Sequence, residues 1–341
     1  MLVLDNKIKN EFKDKNILIT GGTGSIGTGL IKQLIKCNPK AIRILTNDEN
    51  SVFELKRIVG DNPTFTFMVG DVRDRERLNL AIRNVDIVFH AAAMKHIDIC
   101  EQNPFDAVKT NVIGTSNILE ASLIENISKF ILISTDKATN PTTTLGASKL
   151  LAERLTLNAS AYRGRGKTIF SIVRFGNVIG SRGSVFQIFL EQIEKGKPLT
   201  VTDPRMTRFI MSISEAASMI LKVTNITKDG EIFILKMPAV RIEDLARGML
   251  DVWETKFPNQ KNQHHIKISK LRQHERFHEY LVTHEETPYC HDVDGMYRIA
   301  KEKNKNPIST KQISSETATR ITRKELHRII NELLNEYQAY Y

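Results

Sequence analysis

Six short runs of apolar and β-branched residues punctuate the first half of the chain: NILIT (16–20), IRILT (42–46), FTFMV (65–69), DIVFH (86–90), FILIS (130–134) and TIFSIVRF (168–175). Between them, stretches such as TGLIKQLIKC and GTSNILEASLI repeat apolar residues at helical spacing. Strands that alternate with helices predict right-handed βαβ units and a parallel sheet covered on both faces, which is an α/β fold. After Gly176 the pattern loosens into loops rich in Gly and Pro, with one helix over about 184–195 and shorter elements. From about 256 to 318 the chain is polar and poorly periodic. Its last segment opens TRKE at Thr322; Thr with Glu325 three residues on is a capping-box pattern, and Leu326, Ile329, Ile330, Leu333 and Leu334 supply the apolar stripe of a terminal helix. The pattern divides the chain into a sheet domain over 1–176, a smaller lobe over 177–318 within which the chain can return to the sheet, and a C-terminal helix over 319–341.

At 341 residues and 41% apolar, the chain can bury a sizeable core. No run approaches the ~18 apolar residues needed to span a bilayer, and MLVLDNKIKNEFKDK carries acids and amides where a signal peptide needs an apolar block. The expectation is a cytoplasmic protein with no membrane partner. Cys37, Cys100 and Cys290 are odd in number and lack C-x-x-C spacing, so they read as reduced thiols, neither a disulfide framework nor a zinc site. A net charge of +10 suits an anionic partner, yet acids are interspersed in LKRIVGD and RDRERL, as on an ordinary solvated surface. The most basic run, RIAKEKNKNPISTKQ, lacks aromatic interleaving and reads as a mobile linker, so no nucleic-acid partner is expected. His264, His265, His274, His278, His284 and His291 crowd the C-terminal part without the spacing of a ligand set, and no metal is expected.

Candidate chemistry begins at ILITGGTGSIG. Gly21, Gly24 and Gly27, with Thr23, Ser25 and Ile26 among them, follow the first strand and open a helix. Such a loop lets the backbone approach a pyrophosphate, which free N–H groups and the helix dipole then hold. In the first βαβ unit this is the dinucleotide-binding arrangement of a Rossmann-type doubly wound parallel sheet. About 20 residues on, where a ribose-reading group is expected, stand Thr46 and Asn47, then Asp48 and Glu49. The cofactor is NAD or NADP, and the lack of an arginine at the strand tip favours NAD. Asp71 and Val72 in GDVRD could line the adenine, and Ala91, Ala92 and Ala93 in HAAAMKH the nicotinamide ribose.

Together, TGGTGSIG, GDVRD, HAAAMKH, NVIGT and the spaced Lys149 resemble the extended short-chain dehydrogenase/reductase family. The longer phrases AAAMKHIDICEQNPFDAVKTNVIGT, STDKATNP, RFGNVIGSRGSV and VTDPRMTRFIMS look like the nucleotide-sugar 4,6-dehydratases of polysaccharide biosynthesis, the group acting on UDP-N-acetylglucosamine. The similarity covers roughly residues 14 to 225 and thins beyond to fragments such as HERFHEYLVTHEE. It implies an enzyme that oxidises C4 with tightly bound NAD(P)+, eliminates water across C5 and C6 and returns the hydride to C6, so the cofactor is regenerated each turnover. It also implies a small-molecule nucleotide-sugar partner, a substrate-binding role for the second lobe and a homo-oligomer.

Within STDKATNPTTTLGASK the family's tyrosine, four residues before Lys149, is replaced by Leu145. Leu145 has no ionisable group, so proton transfer from the C4 hydroxyl to a tyrosinate is closed. Thr135, Asp136 and Lys137 follow the fifth strand, at the end where parallel sheets place ligands, and adjacent acid and amine can divide acid and base work. The resemblance to dehydratases with Met at the tyrosine position makes Asp136 the acid at C6 and Lys137 the base at C5. Thr135 then contacts the C4 oxygen and Lys149 the nicotinamide ribose. Lys95 resembles a further substrate-facing residue and Asn111 a structural one. For the nucleotide sugar, Asn177 and the Arg182-Gly183-Ser184 group at a helix start suit a diphosphate, and Arg208 and Arg272 resemble positions near uridine and phosphates. Two alternatives remain open: a UDP-sugar epimerase, and a non-catalytic NAD(P)-binding sensor that has lost its tyrosine.

Overall fold

A computed structural model describes residues 5–260, 265–270, 275–306, 308 and 311–340. Its centre is a nine-stranded sheet. The strands are β1 Asn16–Thr20, β2 Ala41–Thr46, β3 Phe65–Val69, β4 Ile87–His90, β5 Lys129–Thr135, β6 Ile169–Phe175, β7 Glu231–Leu235, β8 Cys290–Val293 and β9 Met296–Ile299. In space they run β8-β9-β7-β6-β5-β4-β1-β2-β3. The six runs legible in the sequence are β1 to β6, which pair in parallel with one another, and β7 joins β6 in parallel. Ile17, Leu18 and Ile19 are all buried, which is the mark of a parallel strand covered on both faces. A short helix, Asn6–Phe12, precedes β1; Asp5 caps it by accepting from Ile8 N at 2.8 Å, and Phe12 is buried with its ring 6.3 Å from that of Phe89.

The chain forms two compact units, each assembled from three segments. The first takes the residues up to Phe175, then Ser214–Lys236 and Val282–Gln312; the second takes Gly176–Ile213, Met237–Leu281 and the residues from Ile313 on. The expected boundaries of 177–318 and 319–341 therefore differ from the observed division. β7 returns within 214–236, and β8 and β9 return within 282–312 as an antiparallel pair on β7, joined through Asp294 and Gly295. These three strands run 4–5 residues, too short to leave a strong periodic signal. The run read as a mobile linker is partly built into the sheet. Arg298 and Ile299 belong to β9, and Asn304 donates its Nδ2 to Cys290 O at 2.8 Å; residues 307, 309 and 310 lie outside the described residues.

In the second unit, helices Val185–Glu194, Ile242–Lys256 and Arg323–Tyr340 share an apolar cluster. Phe189, Met249 and Ile330 are at most 1% exposed within it. The terminal helix buries Leu326, Ile329, Ile330 and Leu334, and Leu333 packs at the cluster's edge. Thr322 Oγ1 accepts Glu325 N at 3.2 Å, while the Glu325 carboxylate turns to Arg328 at 2.6 Å and leaves the reciprocal half of the capping box unmade. No helix among the described residues is long and apolar enough to cross a membrane.

The cluster makes a stability prediction. Ile330 is fully buried in this three-helix cluster, so Ile330→Ala should lower the unfolding free energy by about 2–5 kcal/mol, read as a lower urea midpoint.

Candidate active site

The glycine loop leaves β1 and enters the helix Ser25–Leu34 with Gly24 as N-cap. Gly21 N donates to Leu45 O at 2.8 Å and Gly24 N to Gly21 O at 3.0 Å, which folds the loop back over the strand ends. A Cβ on Gly27 would lie 2.5 Å from both Cα and O of Gly22, so only glycine lets the first helical turn sit this close to the loop. No side chain caps this helix start, an arrangement suited to an anion, and Ser25 and Ile26 beside it are half-buried. Thr23 Oγ1 meets Thr46 Oγ1 at 2.8 Å, locking the loop to the tip of β2.

At that tip Asp48 is committed elsewhere. It caps the helix Glu49–Val59, accepting from Asn50 N at 3.1 Å and Ser51 N at 3.2 Å. Asn47 instead donates to Asp71 Oδ2 at 3.3 Å, and Asp71 also takes Arg73 through Nε at 2.9 Å and Nη2 at 2.8 Å. The Arg73 guanidinium holds the Asp71 carboxyl below its ordinary range. Val72 is buried, and its carbonyl accepts from Asn117 Nδ2 at 3.1 Å. Past β4, Ala91 N bonds Thr20 O at 3.1 Å and Ala92 N bonds Thr20 Oγ1 at 3.4 Å, with Ala93 half-buried and Lys95 exposed beyond. Asn111 sits in a π-helical turn, Lys109–Ile113, accepting from Met94 N at 2.8 Å and donating to Ser148 Oγ at 2.9 Å. It ties the loop after β4 to the helix Thr144–Asn158.

The STDK loop follows β5 as a single turn, Asp136–Ala138. Thr135, Asp136 and Lys137 come together there. Thr135 Oγ1 donates to Asp136 Oδ1 at 2.9 Å, and Lys137 Nζ reaches the same oxygen at 3.0 Å. Asp136 is 0% exposed, and its Oδ2 is buried without a hydrogen-bond partner among the described residues. A buried carboxylate oxygen left without a partner in this way is unusual, and such groups occur at catalytic sites. The turn lies against the start of the helix Thr144–Asn158, where a Cβ on Gly146 would come 2.4 Å from Lys137 O. Leu145 is 4% exposed and packs with Cys100 and Ala107, beside Met94 and Ile97. Position 145, where the sequence resemblance implies a tyrosine, is here part of a small apolar cluster.

Lys149 is buried one turn further on and donates to Ile133 O at 2.7 Å. Burial lowers its pKa to about 8, with Glu153 opposing the fall. His90 is held between Thr20 Oγ1 (2.6 Å) and Thr115 Oγ1 (3.0 Å); burial, aided by the charge of Lys149, lowers it to about 3, so it is neutral at pH 7. Beneath the loop lies a set of residues to which sequence reasoning gave no role. Ser134 Oγ donates to Glu153 Oε1 at 2.5 Å, and Arg174 grips Glu153 through Nε at 3.1 Å and Nη2 at 2.7 Å. On its other side Arg174 holds both oxygens of Glu286 at 2.9 Å. The i,i+4 spacing of Lys149 and Glu153 was the available signal.

The second unit holds the remaining candidates. Ser184 stands at the N-cap of the helix Val185–Glu194; its Oγ, like Asn177 Oδ1, is buried without a hydrogen-bond partner among the described residues. Arg182 is exposed. Arg208 is buried, and its guanidinium donates to backbone carbonyls of Thr207 (2.8 Å), Phe277 (3.2 Å) and Arg276 (2.9 Å). Arg272, His264 and His274 lie outside the described residues.

Comparison with known proteins places this geometry in a family. The polysaccharide biosynthesis protein family matches residues 17–301. A protein named as an uncharacterised membrane protein of Methanocaldococcus jannaschii is 48% identical, over 96% of this chain and 98% of its own. A UDP-glucose 4-epimerase of Rickettsia rickettsii is 40% identical, over 84% and 83%. Among solved structures, Pen from Bacillus thuringiensis is 37% identical with a TM-score of 0.87, over 94% and 98% of the two chains. A dTDP-glucose 4,6-dehydratase from Streptomyces venezuelae shares the fold at 20% identity and a TM-score of 0.68, over 77% and 86%. With a matched span that runs from β1 to the edge of the sheet, the chain belongs to the polysaccharide biosynthesis protein family.

Proposed function

We propose that this protein dehydrates UDP-N-acetylglucosamine to a UDP-4-keto-6-deoxy-hexosamine, with NAD or NADP as a resident cofactor. The observation that carries the reading is Asp136: a fully buried carboxylate with one oxygen on Lys137 and Thr135 and the other open, where the tyrosine position is apolar. The uncapped helix start beside Gly27 and the Thr46, Asn47 and Asp71 corner fit a dinucleotide, and Lys149 with Ala91 to Ala93 would hold its nicotinamide end. When bound, the nicotinamide supplies the two-electron acceptor that takes hydrogen from C4 and returns it at C6.

The chain's own residues then manage protons. The Thr135 hydroxyl donates to Asp136 and can accept from the C4 hydroxyl, which fixes that oxygen. As C4 is oxidised, its hydroxyl proton passes through Thr135 to the Asp136 carboxylate, which becomes the acid, while Lys137 acts as the amine base. Lys137 removes H5, and Asp136 gives its proton to the C6 hydroxyl, which departs as water. Lys137 later returns a proton to C5, which leaves a carboxylate and an amine, as at the start. In the second unit, Asn177, Arg182 and Ser184 would bind the nucleotide portion, and Arg208 would shape the segment at 276–277.

A second reading, epimerisation at C4, is favoured by the names of the Rickettsia relatives. It needs no acid and base at C5 and C6. Proton NMR of UDP-N-acetylglucosamine with protein and NAD(P)+ in deuterated water separates the two. Dehydration should create a C6 methyl signal with deuterium at C5; a retained hydroxymethyl group with inverted C4 would establish the epimerase instead.

Variants sharpen the assignment. Asp136→Asn should cut turnover by about 10²–10⁴-fold while cofactor affinity stays near that of the parent, measured by steady-state kinetics and fluorescence titration. Gly27→Ala should abolish cofactor binding in the same titration. Leu145→Tyr overfills the cluster of Cys100 and Ala107, so it should cost about 1–3 kcal/mol of stability and give no gain in turnover.

A further inference from the structure

Buried charges beneath the loop are linked to one another. Lys149 and Glu153 lie one turn apart on the same helix, and both are buried. Glu153 is fixed by Ser134 and by two bonds from Arg174, and Arg174 is in turn held by both oxygens of Glu286. Glu286 is fixed by Thr283 N at 2.9 Å. With Arg174 alone as partner, the charge of Glu153 would be cancelled and Lys149 would be a buried cation without a counter-charge. Glu286 supplies a second negative charge at Arg174, with the Arg154 guanidinium also acting on Glu286.

We propose that Glu153 is the positioning residue that keeps Lys149 charged on Ile133 O, and that Glu286, by sharing Arg174, frees Glu153 for that task. The proposal rests on the reading that Lys149 holds the nicotinamide ribose. Among the described residues, the other titratable group shown to interact with Lys149 is His90 on β4, neutral at pH 7. Glu153 also carries the mount of the reactive loop, because Ser134 immediately precedes Thr135 and Asp136.

The test is the pH dependence of NAD(P)H binding by the full chain, followed by nucleotide fluorescence between pH 6 and about 10, a window spanning the Lys149 titration. Lys149 is depressed in the folded protein, so it is charged at low pH and affinity should fall as pH rises through an alkaline limb near 8. Lys149→Met should remove the limb. Glu153→Gln and Glu286→Gln should move it down by about one pH unit, because each deletes a charge that favours the ammonium. Glu153→Asp should restore most of the shift, and Ser134→Ala should leave the limb in place while lowering kcat. If both Gln variants lose thermal stability but keep the parent's limb, or if the parent shows no limb, the proposal is wrong. Should Glu153→Gln fail to fold, Glu286→Gln decides, since Glu286 is 16% exposed and remote in sequence from the loop. A limb that shifts as stated, in a protein that forms no keto sugar, would sink the dehydratase assignment and leave the Glu153 role standing.

Discussion

The close seat of the helix Thr144–Asn158 against the end of β5 is the constraint on which the reactive region depends. Three contacts define it: Lys149 on Ile133 O, Ser134 on Glu153, and the backbone of Gly146 against Lys137 O. Glu101 adds a fourth, accepting Thr144 N at 2.6 Å at the helix start. Because the strand end and the helix start are both pinned, the turn between them presents Thr135, Asp136 and Lys137 in one arrangement. A looser seat would leave the carboxylate and amine free to find water, and their burial would be lost.

That seat also gives the leucine at position 145 a structural role. Its side chain packs with Cys100 and Ala107, so the helix gains an apolar anchor there. The turn after β5 instead places a buried acid against an amine. The second unit, with arginine on backbone carbonyls and an apolar three-helix cluster, contributes shape more than reactive groups.

The sequence disclosed the parts whose signal is local. β1 to β6 are runs of β-branched residues, the glycine loop is a spaced motif, and the terminal helix carries its own stripe and cap. The return strands were illegible because runs of four or five residues are too short to show a clear period. Arg174 was legible as a strand residue but not as a bridge, since its partners Glu153 and Glu286 lie 21 and 112 residues away. Gly146 gave no warning either; its importance comes from a backbone oxygen nine residues earlier, which only the folded chain brings close.

The interleaving of the two units has a consequence for synthesis. The large sheet takes strands from residues 16–20 through 296–299, with second-unit segments threaded between them. On the ribosome, β1 to β6 emerge early with an open edge at β6, and β7, which covers it, follows 55 residues after the end of β6. The β9 and β8 pair closes β7 only when most of the chain has been made. An exposed strand edge during that interval is a site for mispairing with other chains. Truncations that stop near residue 176 would freeze this stage, so the N-terminal half cannot be treated as an independent module to be excised or fused at will.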